Sequence, residues 1–493
     1  MEKIPIDNLP EIILSSSQPR TSQMISRAVR AGKLRKLAPK IYSSNLIDPP
    51  EIIITRNRYF ILGQLFPNAV ISHRSALEGG VANNMVVLTY KYTKNIKLPG
   101  LQIRLHQGPG PDRDDTPFLE NLFIASQARA FLENMQTSRS RSTLAKTLSK
   151  IQIESRLDRL AHIYGETELN KLRDKAKQTA KRLAMTEQFK SLEQMISALL
   201  GTRQTVKLHS EPGRARAIGQ PFDTHRIDLF ASLAAYLQQY LFELHSSPAT
   251  NATARKNLAF FEAYFSNFIE GTEFAIEEAK TIVFENKINA NRPEDSHDIL
   301  STFRIVSNQQ IMQQTPIDAE TLLNQLQRLH LQLMEQRPAA MPGKFKDKEN
   351  RAGNTVFVKP TEVKGTLIKG FEFYQHLQGG MARACFMMFL ISEVHPFTDG
   401  NGRLARIMMN IELEANHQSR IIIPTVYRED YLLALRRLSR QQDPAPYTKM
   451  LARAQDFTSR VDYSSYPKCL AQMSAANAFM EPNEGKLILP PKR

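Results

Sequence analysis

Two helix-forming segments are separated by a short stretch that no helix can contain, and this interruption constrains the chain more than any other feature. Met381 to Val394 is mostly apolar and holds neither Gly nor Pro, so it reads as a buried helix. Pro396 cannot continue it, because proline lacks an N–H and clashes with the preceding turn. Asp399-Gly400-Asn401-Gly402 is turn chemistry, and its glycines allow backbone N–H groups to approach a ligand closely. Leu404 to Ala415 reads as the next helix. An anion at its start would meet free backbone donors and the positive end of the helix dipole.

The side chains of this loop form a chemical set. His395 can take a proton near neutral pH. Asp399 is a hard oxygen ligand suited to Mg²⁺ carrying a nucleotide's phosphates. Asn401 can orient a phosphate, and Arg403 can grip phosphate oxygens bidentately. Phe397 has no chemical role and reads as an anchor. The run His395-Pro396-Phe397-Thr398-Asp399-Gly400-Asn401-Gly402-Arg403, followed by Leu404-Ala405-Arg406, resembles the Fic-family motif at every position.

That resemblance implies a protein adenylyltransferase, which moves AMP from ATP to a hydroxyl side chain of a target protein and releases pyrophosphate. It implies that His395 deprotonates the hydroxyl and that Asp399 holds Mg²⁺. Asn401, with the Gly400 and Gly402 backbone, would cradle the phosphates, and Arg403 would stabilise the leaving group. Arg406 would clamp the triphosphate. Some relatives move other groups or remove AMP, so the motif constrains the machinery more than the substrate.

Upstream, Phe260, Phe261, Tyr264, Phe265 and Phe268 recur at a helical period. Ser266 and Glu270 share a face of that helix, and Gly271 is a helix-ending residue. A helix that simply ends in Glu-Gly would look the same. Ser-x-x-x-Glu-Gly also resembles the family's inhibitory motif, which implies that Glu270 pairs with Arg406 and restrains the enzyme. Between Met341 and Pro360, Asn354-Thr355-Val356-Phe357-Val358-Lys359 alternates between turn residues and predicts a short edge strand or hairpin. The resemblance makes it a flap on which Val356, Phe357 and Val358 dock the target by strand addition. A surface hairpin without a partner fits equally well. Tyr427 and Tyr431 fit a nucleotide-base pocket or the core.

Charge is unevenly placed. Residues 1–220 hold 34 Lys+Arg against 19 Asp+Glu, whereas residues 221–493 hold 31 against 30. The basic first half points to double-stranded DNA, although a merely soluble basic surface gives the same count. Arg20 to Gly32 predicts a capped helix ended by Gly32. Ser22, Gln23, Arg27 and Arg30 on its polar side are the residue types that reach base edges and phosphates. Lys33 to Tyr42 follows as a basic alternating segment with a turn, like a wing. With Pro67 to Leu77 this resembles the winged helix-turn-helix of the AbiEi antitoxin family over about the first 110 residues. His73 in that stretch reads as structural.

Two cysteines, Cys385 and Cys469, are too few to staple a fold and suit a reducing cytoplasm. Met1 to Pro10 does not read as a signal peptide. The longest apolar run, Ala384 to Ile391, is far short of a membrane span. The expected organisation is mainly α: a winged helix-turn-helix module (1–110, α+β), a helical connecting domain (111–202), a basic linker (203–221), a Fic helical core with its inhibitory helix and β-hairpin flap (222–465), and a tail (466–493). Self-association is compatible with this organisation. The competing reading is a DNA-binding, antitoxin-like regulator whose Fic domain senses nucleotide or removes AMP.

Overall fold

Side-chain caps and glycine stops divide the chain into short helices. The computed structural model describes residues 9–15, 18–138, 145–202 and 207–492. Most of Met1 to Pro10 and the start of the expected linker therefore lie outside the described residues. Contacts divide the chain into two units, Met1–Ala217 and Ile218–Arg493.

In the first unit, β1 (Ile12–Leu14), α1 (Pro19–Arg30), β2 (Arg35–Ala38) and β3 (Ile41–Ser43) come first. The three strands form an antiparallel sheet in the order β1-β3-β2. Helix α1 begins with Pro19 at its first position and has no side-chain cap. Proline suits that position because its missing N–H would be unpaired anyway. Gly32 beyond the helix end sits at φ +66°, and Lys40 at φ 67° turns the β2–β3 hairpin. The capped helix read from sequence is thus uncapped at its start, while the helix and the hairpin stand where the pattern put them.

Then come α2 (Pro50–Arg56), α3 (Arg58–Leu65), β4 (Val70–Ile71), α4 (His73–Leu77), β5 (Met85–Tyr90), β6 (Lys94–Leu98), β7 (Leu101–Gln107), β8 (Thr116–Phe118) and β9 (Leu122–Ile124). Strands β4 to β9 make one mixed sheet, ordered β6-β7-β5-β4-β9-β8. Its β5–β7 and β4–β9 pairs are parallel and the others antiparallel. His73 is buried, with its ring bonded to Ser72 and Gln136. Burial pushes its pKa down to about 3, so it is a neutral structural group at physiological pH.

The unit closes with α5 (Gln127–Asn134), α6 (Lys150–Tyr164), α7 (Glu166–Arg182), α8 (Thr186–Leu199) and α9 (Glu211–Ala217). Ser149 and Gln152 form a reciprocal capping box at the start of α6. Helix α9 occupies part of the stretch read as a linker. Its Gly213 and Arg216 are buried, with Arg216 held to Asp158 at 2.6 Å, so this segment is folded rather than extended.

The second unit is helical: α10 (Thr224–Gln239), α11 (Ala252–Ile269), α12 (Ile276–Glu285), α13 (Pro293–Val306), α14 (Gln309–Met312), α15 (Ala319–Leu333), then the hairpin β10 (Arg351–Ala352) and β11 (Thr355–Val356), and α16 (Val363–Gln375), α17 (Gly380–Val394), α18 (Asn401–Ala415), α19 (Arg428–Gln441), α20 (Pro444–Arg460) and α21 (Tyr466–Ala475). Asp223, Asn251, Asp318 and Asp443 each accept a backbone N–H as N-caps of α10, α11, α15 and α20. Helix α17 is buried nearly all round, as its unbroken apolar sequence requires, and it packs on α18. Helix α11 buries Phe260, Phe261 and Phe265 in the same core. Helix α21 begins the segment read as a tail, and Cys469 and Met473 are buried in it. No helix among the described residues is long and apolar enough to cross a membrane.

Candidate active site

The loop between α17 and α18 is closed by its own side chains. His395 caps α17 in the left-handed region at φ 52° and turns the chain away from the helix. Asn401 then clasps Phe397 at both backbone ends: Asn401 Oδ1 accepts Phe397 N–H at 2.9 Å, and Asn401 Nδ2 donates to Phe397 O at 2.9 Å. Gly400, at φ +74°, leads into α18; a Cβ there would lie 2.7 Å from Met334 Sδ. Asn401, read from sequence as a phosphate-orienting amide, thus serves the loop itself first.

Beneath the loop, residues that the sequence reading did not single out hold it in place. The His330 ring stacks on Phe397 with centroids 3.8 Å apart and planes 7° apart. His330 Nδ1 accepts Gly343 N–H at 3.0 Å, so the proton sits on Nε2, which donates to Asp399 O at 3.0 Å. This geometry requires the neutral ring, and burial pushes its pKa down to about 4. Asn350 Nδ2 donates to Phe397 O at 2.9 Å, and Lys346 Nζ donates to Asn350 Oδ1 at 2.7 Å. Burial pushes the Lys346 pKa down to about 7.

His395 Nδ1 lies 3.3 Å from Ser392 O. A carbonyl only accepts, so Nδ1 carries the proton and the Nε2 lone pair is left for a substrate. Burial moves its pKa down to about 4, against an upward pull from the Ser392 carbonyl, with the charge of Lys346 adding a smaller downward push. Asp399 is exposed. One of its oxygens accepts Gly400 N–H at 2.6 Å, and it forms no ion pair with a described residue. A single solvent-facing carboxylate at a loop that can hold phosphates fits Mg²⁺, which keeps water and shares its ligands with a nucleotide.

The two motif arginines are buried and engaged. Arg406 reaches Ser266 twice, Nε to Oγ at 3.0 Å and Nη2 to the carbonyl at 2.8 Å. The same Nη2 pairs with Glu270 Oε1 at 2.7 Å, and Nη1 lies 3.4 Å from the Tyr431 hydroxyl. The Glu270 carboxylate stands over the first turn of α18, where a Cβ on Gly402 would collide with it. That is the place where a helix start would otherwise receive an anion. Arg403 pairs with Asp298 at 2.7 Å, and its buried Nε has no protein partner. Asp298 also takes Arg337 at 2.9 Å.

A cavity of about 440 Å³ opens beside these groups, lined by Glu270, Gly402, His395 and Phe357, with Tyr431 and Leu435 on its apolar wall. The hairpin over it matches the expected flap in place. Its β10 and β11 pair Arg351 with Val356 and Ala352 with Thr355. Val356 is exposed, and Phe357 stacks on His395 at 3.7 Å. Val358 is fully buried, which corrects its reading as a docking residue: a side chain enclosed in the core touches no partner. The Val356 carbonyl already accepts Arg226 Nη2 at 2.7 Å. Tyr431 is on the cavity wall and Tyr427 is not.

In the first unit, Ser22, Gln23, Arg27 and Arg30 are all exposed on α1, whose one fully buried residue is Ile25. Neither Arg27 nor Arg30 pairs with a carboxylate among the described residues.

Residues 319–413 match the Fic/DOC family, and the chain therefore carries a Fic domain around the loop just described. The protein adenylyltransferase Fic of Drosophila erecta is 24% identical over 247 residues, covering 48% of this chain and 48% of that protein. The Drosophila melanogaster protein of the same name is 22% identical over the same length and shares. The chain spans about half the length of the curated relatives it matches. Among solved structures, a Fic-domain-containing signalling protein from Bacteroides thetaiotaomicron aligns with TM-score 0.38 and 18% identity, over 49% of this chain and 96% of that one. Fic-1 from C. elegans aligns with TM-score 0.35 and 14% identity, over 64% and 99% respectively.

Asp298 compensates the buried Arg403, so its removal leaves uncompensated charge in the core, while the half-buried Arg337 keeps Asp295 and Glu294. Asp298→Ala should cost about 3 kcal/mol and lower the thermal midpoint of the second unit by several degrees. A midpoint equal to wild type in a calorimetric scan would show that Arg403 is held by something else.

Proposed function

We propose that this chain transfers AMP from ATP to a hydroxyl side chain of a target protein, and that Glu270 restrains the reaction. The observation that carries the reading is the Glu270–Arg406 pair at 2.7 Å, set directly over the start of α18 and beside His395. In the transfer, the target hydroxyl oxygen attacks the α-phosphorus. A new P–O bond forms, the P–O bond to the β-phosphate bridge breaks, and pyrophosphate leaves. The hydroxyl proton goes to His395 Nε2, whose partner nitrogen is tied to Ser392. The Gly400–Gly402 backbone at the start of α18 receives the phosphates. Arg403, aimed by Asp298, offers its uncommitted Nε–H to the departing charge. Asp399 would hold the Mg²⁺ that neutralises the phosphates, a division of labour suited to phosphoryl-type chemistry.

Restraint follows from charge and space. The Glu270 carboxylate occupies the anion position at the helix start and engages the guanidinium that would clamp the far end of the triphosphate. The competing reading is an AMP-removing or nucleotide-sensing regulator. In that case Glu270 would place a water instead of blocking a phosphate.

The basic first unit is proposed to bind double-stranded DNA through α1. The support is the four exposed polar or cationic residues on one helix and the excess of Lys and Arg over Asp and Glu before residue 221.

His395→Ala should lower AMP transfer by about 10²- to 10⁴-fold with the fold retained, read by radiolabel from ATP. Because the imidazole of wild type loses its proton near pH 4, the base is already available at neutral pH. The rate should therefore stay level from pH 8 to 6 and fall only as acid approaches that value; a steep loss near pH 6.5 would contradict the assignment.

Glu270→Gly should raise transfer by about 5- to 100-fold at a stability cost of about 1 kcal/mol. An unchanged rate in the folded variant would make the pair structural, and loss of AMP release from a pre-modified target would favour the removal reading.

DNA affinity of the full chain should fall steeply with salt, and Arg27→Glu with Arg30→Glu should flatten the log–log slope by about 2. Affinity that does not respond to salt would rule out a phosphate-contacting interface.

A further inference from the structure

The helix that gives the cavity its apolar wall of Tyr431 and Leu435 also gives it a basic rim. Arg436 and Arg440 line it from α19, four residues apart and so on one face of that helix. Both are exposed. Arg440 donates to the hydroxyl of Thr355 on the flap at 3.0 Å, and neither arginine pairs with a carboxylate among the described residues. The acids on the same cavity are already compensated. Glu270 is taken by Arg406 at 2.7 Å. Glu393 is buried, pairs with Arg226 at 3.0 Å and accepts the Ser439 hydroxyl at 3.0 Å. The mouth between flap and α19 thus carries two uncompensated positive charges, with a third, Arg351, exposed on the flap strand β10.

The nucleotide's phosphates do not account for these cations. On the transfer reading the phosphates meet the start of α18, the helix that carries Arg403 and Arg406, and a nucleoside against Tyr431 and Leu435 would be uncharged. Arg440 touches the flap at Thr355 and Arg436 lines the same cavity, beside the edge along which a target chain would bring a hydroxyl to His395 Nε2.

We propose that the target segment is acidic: a hydroxyl residue flanked by Asp or Glu, whose carboxylates meet Arg436 and Arg440 as the segment enters between flap and α19. This inference rests on the transfer reading for its hydroxyl and on charge complementarity for its flanks. Because the arginines are exposed, the attraction is screened by salt and acts on encounter as well as on affinity.

The test uses the full chain and two fluorescent peptides, one with a Ser flanked by Glu residues and its twin with Gln in their place. Binding is read by anisotropy, which needs no chemistry, and transfer by label from ATP with Mg²⁺. At low salt the Glu peptide should bind and react about fivefold to tenfold better than its twin. The gap should close at high salt and vanish in R436Q with R440Q. Equal behaviour of the twins overturns the proposal. So does a raised KM for ATP in the double variant with peptide discrimination intact, which would place the arginines on the nucleotide. Displacement of the Glu peptide by double-stranded DNA far below the concentration at which free Glu peptide competes would also overturn it, in favour of a nucleic-acid groove. Discrimination in binding with no transfer to either twin would support the groove assignment while sinking the transfer reading, so the two failures are distinguishable.

Discussion

The clasp of Asn401 on Phe397 is the contact on which the rest of the site depends. Two hydrogen bonds from one amide close the loop between α17, buried nearly all round, and the first turn of α18. Phe397 is locked from below by the His330 ring, and His330 in turn holds the Asp399 carbonyl. The outcome is that His395, Asp399 and the start of α18 are fixed relative to each other by the Asn401 amide, while His395 Nε2 is left with its lone pair. Buried hydrogen bonds of this kind are worth little individually, but removing one partner exposes the full cost of an unsatisfied group.

Around that loop, charge is arranged in two ion pairs, one buried and one open to solvent on its carboxylate side. Arg403 is paired with Asp298 and keeps its Nε–H without a partner among the described residues, which on the proposed reading leaves it free for a departing charge. Arg406 is paired with Glu270 from above, and the pair covers the anion site itself. The Arg403–Asp298 pair is desolvated on both sides and is weak evidence for stability, whereas Glu270 stays part-exposed over a buried Arg406. Their value lies in where they put the guanidiniums.

The loop and its flanking helices were legible in the sequence because their signals are local. Pro396, the Asp-Gly-Asn-Gly turn and two apolar stretches are contiguous, and α17 and α18 lie within a few residues of the expected bounds. The approach of Glu270 to Arg406 was also anticipated, from the helical spacing of Ser266 and Glu270 and the family pattern. Asp298, His330, Lys346 and Asn350 were not, since each comes from a separate segment and none interrupts a hydrophobic period; a lone His on an apolar helix face looks like any core histidine. Val358 was misread because an alternating β-branched segment does not reveal which of its faces is enclosed. Helix α9 was missed because Pro212 and Gly213 look like linker chemistry, although Pro is well tolerated in a first helical turn.

The central claim is that this loop delivers AMP covalently. Intact mass spectrometry of the full chain and of its Glu270→Gly variant, each incubated with Mg²⁺ and in turn with ATP, GTP, CTP and UTP, addresses it most directly. The account predicts an added mass of one AMP group with ATP, greater in the variant, and absent when His395 is also replaced by Ala. Nucleotide binding by both proteins, with no AMP adduct on either chain or on any added protein, would contradict it.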